Sequence, residues 1–248
     1  MSSVDATMAW RALVAEASDP YQRAGRFAWH FARGKLRWDP VFGHLIARGL
    51  IAPRTRVLDI GCGQGLLASL VAAAAKAARQ GRWPHDWAEA PVDVRFSGIE
   101  VLARDVERAR HALGAGVDIV CADMRTAAFA AADTVVLLDV LHYVSIAEQD
   151  AVLARVREAL TLGGRLVLRI GDAAARPGFA ASGWVDRLVA FARGQGFGRL
   201  AGRSLAAWQA RLAELGFAVA SEPMRDDTPF ANVLLVATVE RAAQEVGA

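Results

Sequence analysis

Hydrophobic positions in residues 5–50 fall at helical spacing: Trp10, Leu13 and Val14, then Phe27, Phe31 and Leu36. Asp19-Pro20 and Asp39-Pro40 break that segment, because a residue before proline is pushed out of the helical region. From Thr55 the pattern changes to short apolar runs alternating with amphipathic stretches. Strands are expected over 56–60, 92–99, 117–121, 134–138 and 165–170. Helices are expected over 66–79, 103–113 and 148–160, the last closed by Gly163-Gly164, and 81–91 reads as a loop around Trp83-Pro84. Such alternation predicts βαβ units around a parallel sheet covered on both faces. The tail differs: a helix over 204–215 precedes strands over 217–221 and 233–239. No helix fits between those two strands, so they are expected as an antiparallel pair at the sheet edge. Between the fifth strand and the last helix lies 171–203, whose 184–191 portion reads as an extra helix over the site.

Composition narrows the class. With 248 residues and 54% hydrophobic positions, a packed α/β globule is expected. The richest apolar run, 66–75, is short and closed by Lys76, so no membrane span is expected, and the first ten residues lack a secretory pattern. Cys62 and Cys121 fall at two different strand ends, which points to a reducing cytoplasm rather than a disulfide framework. Net charge is +3, but only Lys35 and Lys76 are lysines and the arginines are scattered, so no nucleic-acid partner is indicated.

The informative segment is Val57-Leu58-Asp59-Ile60-Gly61-Cys62-Gly63-Gln64-Gly65, between a strand and a helix. Glycines there let the backbone turn tightly and let a ligand approach the main chain. A dinucleotide would lay its pyrophosphate at the helix N-terminus, where the Asp59 carboxylate would repel it. A ligand bearing an ammonium and a sulfonium would be attracted instead. Leu66 also stands where the dinucleotide pattern wants glycine or alanine, and no Tyr-x-x-x-Lys pair is present, which argues against a NAD-dependent oxidoreductase. The next strand ends in Gly98-Ile99-Glu100, where a carboxylate can accept from both hydroxyls of a ribose. The plain structural alternatives are a helix N-cap for Asp59 and a surface charge for Glu100.

These residues resemble the first motif and the acidic ribose ligand of the class I S-adenosylmethionine-dependent methyltransferases. Cys121-Ala122-Asp123-Met124 resembles their third-strand end, where an aspartate meets the adenine amino group. Residues 133–144 resemble the fourth-strand motif and 162–170 the fifth strand. The resemblance covers about residues 50–240 and implies a seven-stranded, mostly parallel sheet with an antiparallel last strand and helices on both faces. Residues 1–50 would be a helical lid and 51–248 the catalytic domain. It implies S-adenosylmethionine as cofactor, with S-adenosylhomocysteine as product, contacted by Asp59, Gly61, Cys62, Gly63, Gly65, Glu100, Val101, Asp123, Met124 and Asp139. Asp123 reads alternatively as the N-cap of a helix over 124–132.

Residues 20–45 are faintly similar to small methyltransferases of bacterial aryl polyene pigment clusters. That similarity implies secondary metabolism and an aromatic acid acceptor, free or presented by an acyl carrier protein. Tyr21, Arg26, His30, Lys35 and Trp38 are the candidate acceptor contacts. Asp139, His142 and Tyr143, at the fourth strand end, are the candidate catalytic residues, with His142 suited to accept a proton near neutrality. The Asp139-Val140-Leu141-His142 run departs from the Asn/Asp-Pro-Pro-Tyr/Phe of amide and adenine N-methyltransferases, no Pro-Cys pair serves cytosine chemistry, and no Cys/His cluster has metal spacing. An enzyme acting on RNA or protein, and a non-catalytic cofactor-binding member, stay open, as does the choice between monomer and homodimer.

Overall fold

The computed structural model describes residues 3–171, 201–224 and 232–240. The chain divides into two compact units, Met1–Ala128 and Phe129–Ala248. Its strands make a seven-stranded mixed sheet, as expected from the alternation and the resemblance.

The first unit opens with helices α1 (Ser3–Ser18), a 3-10 turn (Asp19–Ala24), α2 (Arg26–Trp38) and α3 (Pro40–Ala47). The breaks fall at the two Asp-Pro pairs. At the second, Asp39 caps α3 by accepting from the Val41 N–H, with proline in the first turn. Strands β1 (Arg56–Ile60), β2 (Arg95–Glu100) and β3 (Asp118–Cys121) alternate with α4 (Leu66–Arg79) and α5 (Ala103–Leu113). The order is β3-β2-β1, all parallel, pairing Asp59 with Gly98 and Glu100 with Cys121. Consecutive burial from Val57 to Ile60 means that β1 is covered on both faces. β2 starts three residues later than the spacing suggested, because Asp93 takes a left-handed φ of 56° and turns the chain before it.

The N-terminal helices are held inside this unit by buried hydrogen bonds. Ser69 Oγ donates to the Ala17 carbonyl at 2.7 Å, and the Tyr21 hydroxyl donates to the Gln64 carbonyl at 2.8 Å. The second bond joins the 3-10 turn directly to the glycine loop.

The second unit contains β4 (Ala132–Leu138), a 3-10 turn (Leu141–Tyr143), α6 (Ile146–Ala159), β5 (Leu160–Gly171), α7 (Leu205–Glu214), β6 (Phe217–Pro223) and β7 (Asn232–Val239). β4 and β5 are parallel, and β7 runs antiparallel between β5 and β6. The antiparallel tail is therefore as expected, with β6 outermost. α6 begins two residues earlier than 148, because Ser145 and Glu148 form a reciprocal capping box. Gly163-Gly164 does not end the helix. It lies inside β5, where the register against β4 shifts and a side chain at Gly164 would stand 2.8 Å from the Thr161 carbonyl. The helix expected over 184–191 lies outside the described residues.

No helix over 124–132 forms. Residues 123–127 make a tight turn, with the Thr126 and Ala127 N–H groups donating to the Asp123 carbonyl, and β4 starts at Ala132. Asp123 is consequently not a helix cap.

Glycine at 98 follows from packing. A Cβ there would meet Cys62 Sγ at 2.7 Å and Ile119 at 3.2 Å. Gly98→Ala is expected to destabilise by about 1–3 kcal/mol through overpacking, and Cys62→Ala in the same chain should recover part of that loss. Thermal melts of the single and double variants test it. A Gly98→Ala protein as stable as the parent contradicts this packing account.

Candidate active site

The loop after β1 departs from ordinary backbone at each glycine: Gly61, Gly63 and Gly65 have φ of 77°, 55° and 73°. Only glycine takes these angles without strain. They differ in what surrounds them. A side chain at Gly65 would strike Leu113 and Ile119 at 2.8 and 3.0 Å, so that glycine serves helix packing. At Gly63 nothing lies within 4 Å, so its backbone borders open space. Gly65 is also the N-cap of α4 and supplies no side-chain cap, which leaves first-turn N–H groups of α4 without one.

Two carboxyl groups stand beside this loop. Asp59 is 5% exposed and Glu100 8% exposed. Glu100 accepts from the Gly63 N–H at 3.0 Å through Oε2 and from the Leu102 N–H at 2.8 Å through Oε1. Each oxygen keeps a lone pair for a further donor. No described residue donates a hydrogen bond to the Asp59 carboxylate. Burial first, and the Glu100 charge second, push Asp59 up to about 7. Burial likewise raises Glu100, against the lowering effect of its backbone hydrogen bonds. Neither acid is the cap or solvated charge of the plain structural alternative. Together they form a site short of positive charge.

The remaining cofactor candidates are placed as follows. Gly61 and Cys62 donate backbone N–H groups to the Ile99 carbonyl. The Cys62 side chain turns into a cluster with Val106, Ala109 and Ile119, and burial raises its thiol far above the ordinary value. It is a packing residue, and only its backbone can face a ligand. Val101 is partly exposed and Met124 is buried. Asp123 is bound by Arg125, whose Nη2 lies 2.6 Å from Oδ2 and whose backbone N–H donates to Oδ1 at 2.9 Å. An adenine amino group would share that carboxylate with a guanidinium.

Asp139 follows β4 with a left-handed φ of 57°, strained for a residue with a side chain. Its two oxygens are taken by buried Arg169 of β5, with Nε 2.9 Å from Oδ1 and Nη2 on Oδ2. Both oxygens of Asp139 are thus already engaged by that guanidinium, and Glu148 is held in its capping box. The His142 and Tyr143 rings are half-buried neighbours with centroids 4.1 Å apart.

Two residues missed by sequence reasoning organise that turn. Gln149, fully buried, donates through Nε2 to the carbonyls of Leu141, Val144 and Ala201 at 3.1, 3.2 and 2.8 Å. Arg203 donates to Gln149 Oε1 at 3.0 Å and pairs with Asp150 at 2.8 Å, while the Ala201 N–H donates to the His142 carbonyl. The only hint in the sequence was a polar residue on the apolar side of a helix.

The acceptor candidates are not gathered in one place. Tyr21 is fully buried, its hydroxyl bonded to Gln64, and burial raises it strongly. It supports the glycine loop and is shut off from solvent. Arg26, His30, Lys35 and Trp38 stand exposed on α2. Lys35 pairs with Asp39 at 2.7 Å, and His30 lies against Trp29.

Residues 58–166 match a family model described as a methyltransferase domain. A curated relative, the carboxy-S-adenosyl-L-methionine synthase of Actinobacillus succinogenes, is 30% identical over 129 residues. The match takes in 50% of this chain and 48% of that protein, so the chain spans about half the length of the relative it matches. Among solved structures, an O-methyltransferase family protein from Burkholderia thailandensis aligns with TM-score 0.57 and 18% identity over 88% of this chain and 62% of its own. Magnesium protoporphyrin IX methyltransferase from Synechocystis PCC 6803, solved with bound SAH, aligns with TM-score 0.54 and 20% identity over 94% and 99%. These likenesses show the fold, and with the match of residues 58–166 to a methyltransferase domain they bear out the resemblance to the class I S-adenosylmethionine-dependent methyltransferases drawn from the glycine loop.

Proposed function

We propose that this chain is an enzyme that moves the methyl group of S-adenosylmethionine to an oxygen of a small aromatic or acidic metabolite, free or held on a carrier protein. The observation that carries this reading is the buried Asp59–Glu100 pair beside an open glycine loop. A site that concentrates negative charge where the ligand must approach backbone favours a cationic nucleoside over a pyrophosphate.

The residues fit that cofactor. Asp59 would stand opposite a cationic group, and the two Glu100 oxygens would accept from the ribose hydroxyls while keeping the Gly63 and Leu102 N–H bonds that hold them. Met124 and Val101 offer apolar surface to the base. When bound, S-adenosylmethionine supplies an electrophilic methyl carbon, and its displacement leaves the thioether of S-adenosylhomocysteine. The chain's own work is mainly alignment, which is worth about 7–11 kcal/mol in such reactions. His142 takes the proton that a hydroxyl acceptor must lose, adding about 10²–10⁴-fold, and Tyr143 beside it lines the acceptor space. Gln149 and Arg203 hold the turn that presents both.

A second reading follows from the curated relative, whose name is that of an enzyme producing a carboxylated form of the cofactor. Here the reaction would fall on the cofactor itself. Mass spectrometry of the products separates a methylated acceptor with S-adenosylhomocysteine from an altered cofactor.

The raised Asp59 carboxyl links binding and stability to pH. In the folded, unliganded protein this acid holds its proton to a higher pH than in the unfolded chain. Its contribution to stability is therefore fully present below about pH 4 and is lost as pH rises through about 7. Asp59→Asn should abolish that loss, melting above the parent at about pH 8 and beside it near pH 4. A cationic cofactor needs the ionised form, so binding should release protons at about pH 6.5 and weaken as pH falls. Calorimetry in buffers of different ionisation heat measures that release, and its absence refutes the cation site. Asp59→Ala and Glu100→Ala should each weaken S-adenosylmethionine at least several-fold, as for a charge-assisted contact of about 1.5–3 kcal/mol.

His142→Ala should slow turnover while leaving S-adenosylmethionine affinity near the parent value, and the acid limb of the pH–rate profile should flatten. A variant that keeps the parental rate and profile removes His142 from the role of base.

A further inference from the structure

The segment from Pro20 to Trp38 holds Arg23, Arg26, Arg33, Lys35 and Arg37 and not one Asp or Glu. Lys35 is paired with Asp39, but the four arginines are exposed and none lies within ion-pair distance of a carboxylate among the described residues. Two large apolar side chains are exposed along the same helix: Phe27 at 59% and Trp38 at 75%. α2 is 13 residues and so about 20 Å long. Its inward positions are Ala28, Ala32 and Leu36, all buried, so Arg26, Phe27, Arg33, Arg37 and Trp38 stand on its outer side, with Arg23 exposed in the turn just before it.

These side chains are exposed, unlike those lining the enclosed pocket a metabolite needs. Unpaired arginines set among exposed aromatics have the composition of a protein-recognition patch. The aromatic faces discriminate among anionic partners. The Arg37 guanidinium lies 4.9 Å from the Trp38 ring centre, Arg33 5.6 Å from Trp29, and Arg108 4.7 Å from Phe27, which also stacks on Phe31. A guanidinium over each of these rings leaves less of the ring open for a nucleic-acid base to stack on. Carboxylates can instead be received by guanidinium N–H groups already fixed over the rings.

We infer that the outer side of α2 is a docking surface for an acidic protein. The position suits delivery of a tethered acceptor, since α2 begins two residues after the turn whose Tyr21 is bonded to the glycine loop. In that respect the inference rests on the methyl-transfer reading and deepens it. Docking itself is independent of the cofactor and is measured without it.

The experiment is titration of the full chain with two probes, poly-L-glutamate and a purified acyl carrier protein, with a short single-stranded RNA as the contrasting arm. Both acidic polypeptides should bind at about 50 mM salt and be released by about 500 mM, because exposed charge pairs are screened. Arg23→Glu with Arg37→Glu should weaken both about tenfold or more, with far-UV circular dichroism and S-adenosylmethionine affinity unchanged. The inference is overturned if neither acidic probe binds, if the double variant binds them as well as the parent, or if RNA binds more tightly than both. Loss of S-adenosylmethionine binding in Asp59→Ala with docking intact belongs to the cofactor site, so the two readings fail separately.

Discussion

Two acids held out of water beside a turn of bare backbone are the constraint that organises this molecule. Desolvation makes the ionised form of Asp59 costly, and Glu100 nearby adds to that cost. The arrangement persists because the surrounding sheet and helices over-determine it. β1 and β2 pair Asp59 against Gly98, Glu100 is gripped by two backbone N–H groups, and the loop between them is pinned from outside by Tyr21. A charge deficit preserved in this way is a common mark of a binding site, since an ordinary core would have replaced one acid with an apolar residue.

The second unit repeats the principle in another form. Asp139 sits in a strained conformation, and a buried arginine on the neighbouring strand accounts for its persistence. The following turn is held by one buried amide reaching three carbonyls. The Leu141 carbonyl also accepts from the Val144 N–H within the 3-10 turn, so the amide adds to a backbone bond there and ties the turn to Ala201. The result is a turn, carrying His142 and Tyr143, that is fixed by side-chain hydrogen bonds.

The N-terminal segment divides its residues between two tasks. Its inner side bonds the glycine loop through Tyr21 and buries the small residues of α2. Its outer side carries exposed cations and aromatics, some of them engaged with one another or with α5. Tyr21 and Arg26 stand five residues apart in sequence, yet one is sealed from solvent and the other fully open to it.

Much of this was legible in the chain. The alternation of apolar runs with amphipathic stretches predicted the class of sheet, and the shortness of the stretch between the last two apolar runs predicted its antiparallel tail. The order Asp59, three alternating glycines, then Glu100 at the next strand end was enough to expect two carboxyl groups beside a tightly turned loop, because that depends on local backbone geometry and residue type. Tertiary structure alone decided which polar groups were already engaged. Arg125 on Asp123, Arg169 on Asp139 and Gln64 on Tyr21 are contacts between side chains and partners set by packing. Gln149 reaching Ala201 joins positions 52 apart. Periodicity reports which side of an element is buried; it carries no record of which distant donor arrives there, and that arrival separates a free carboxylate from a structural one.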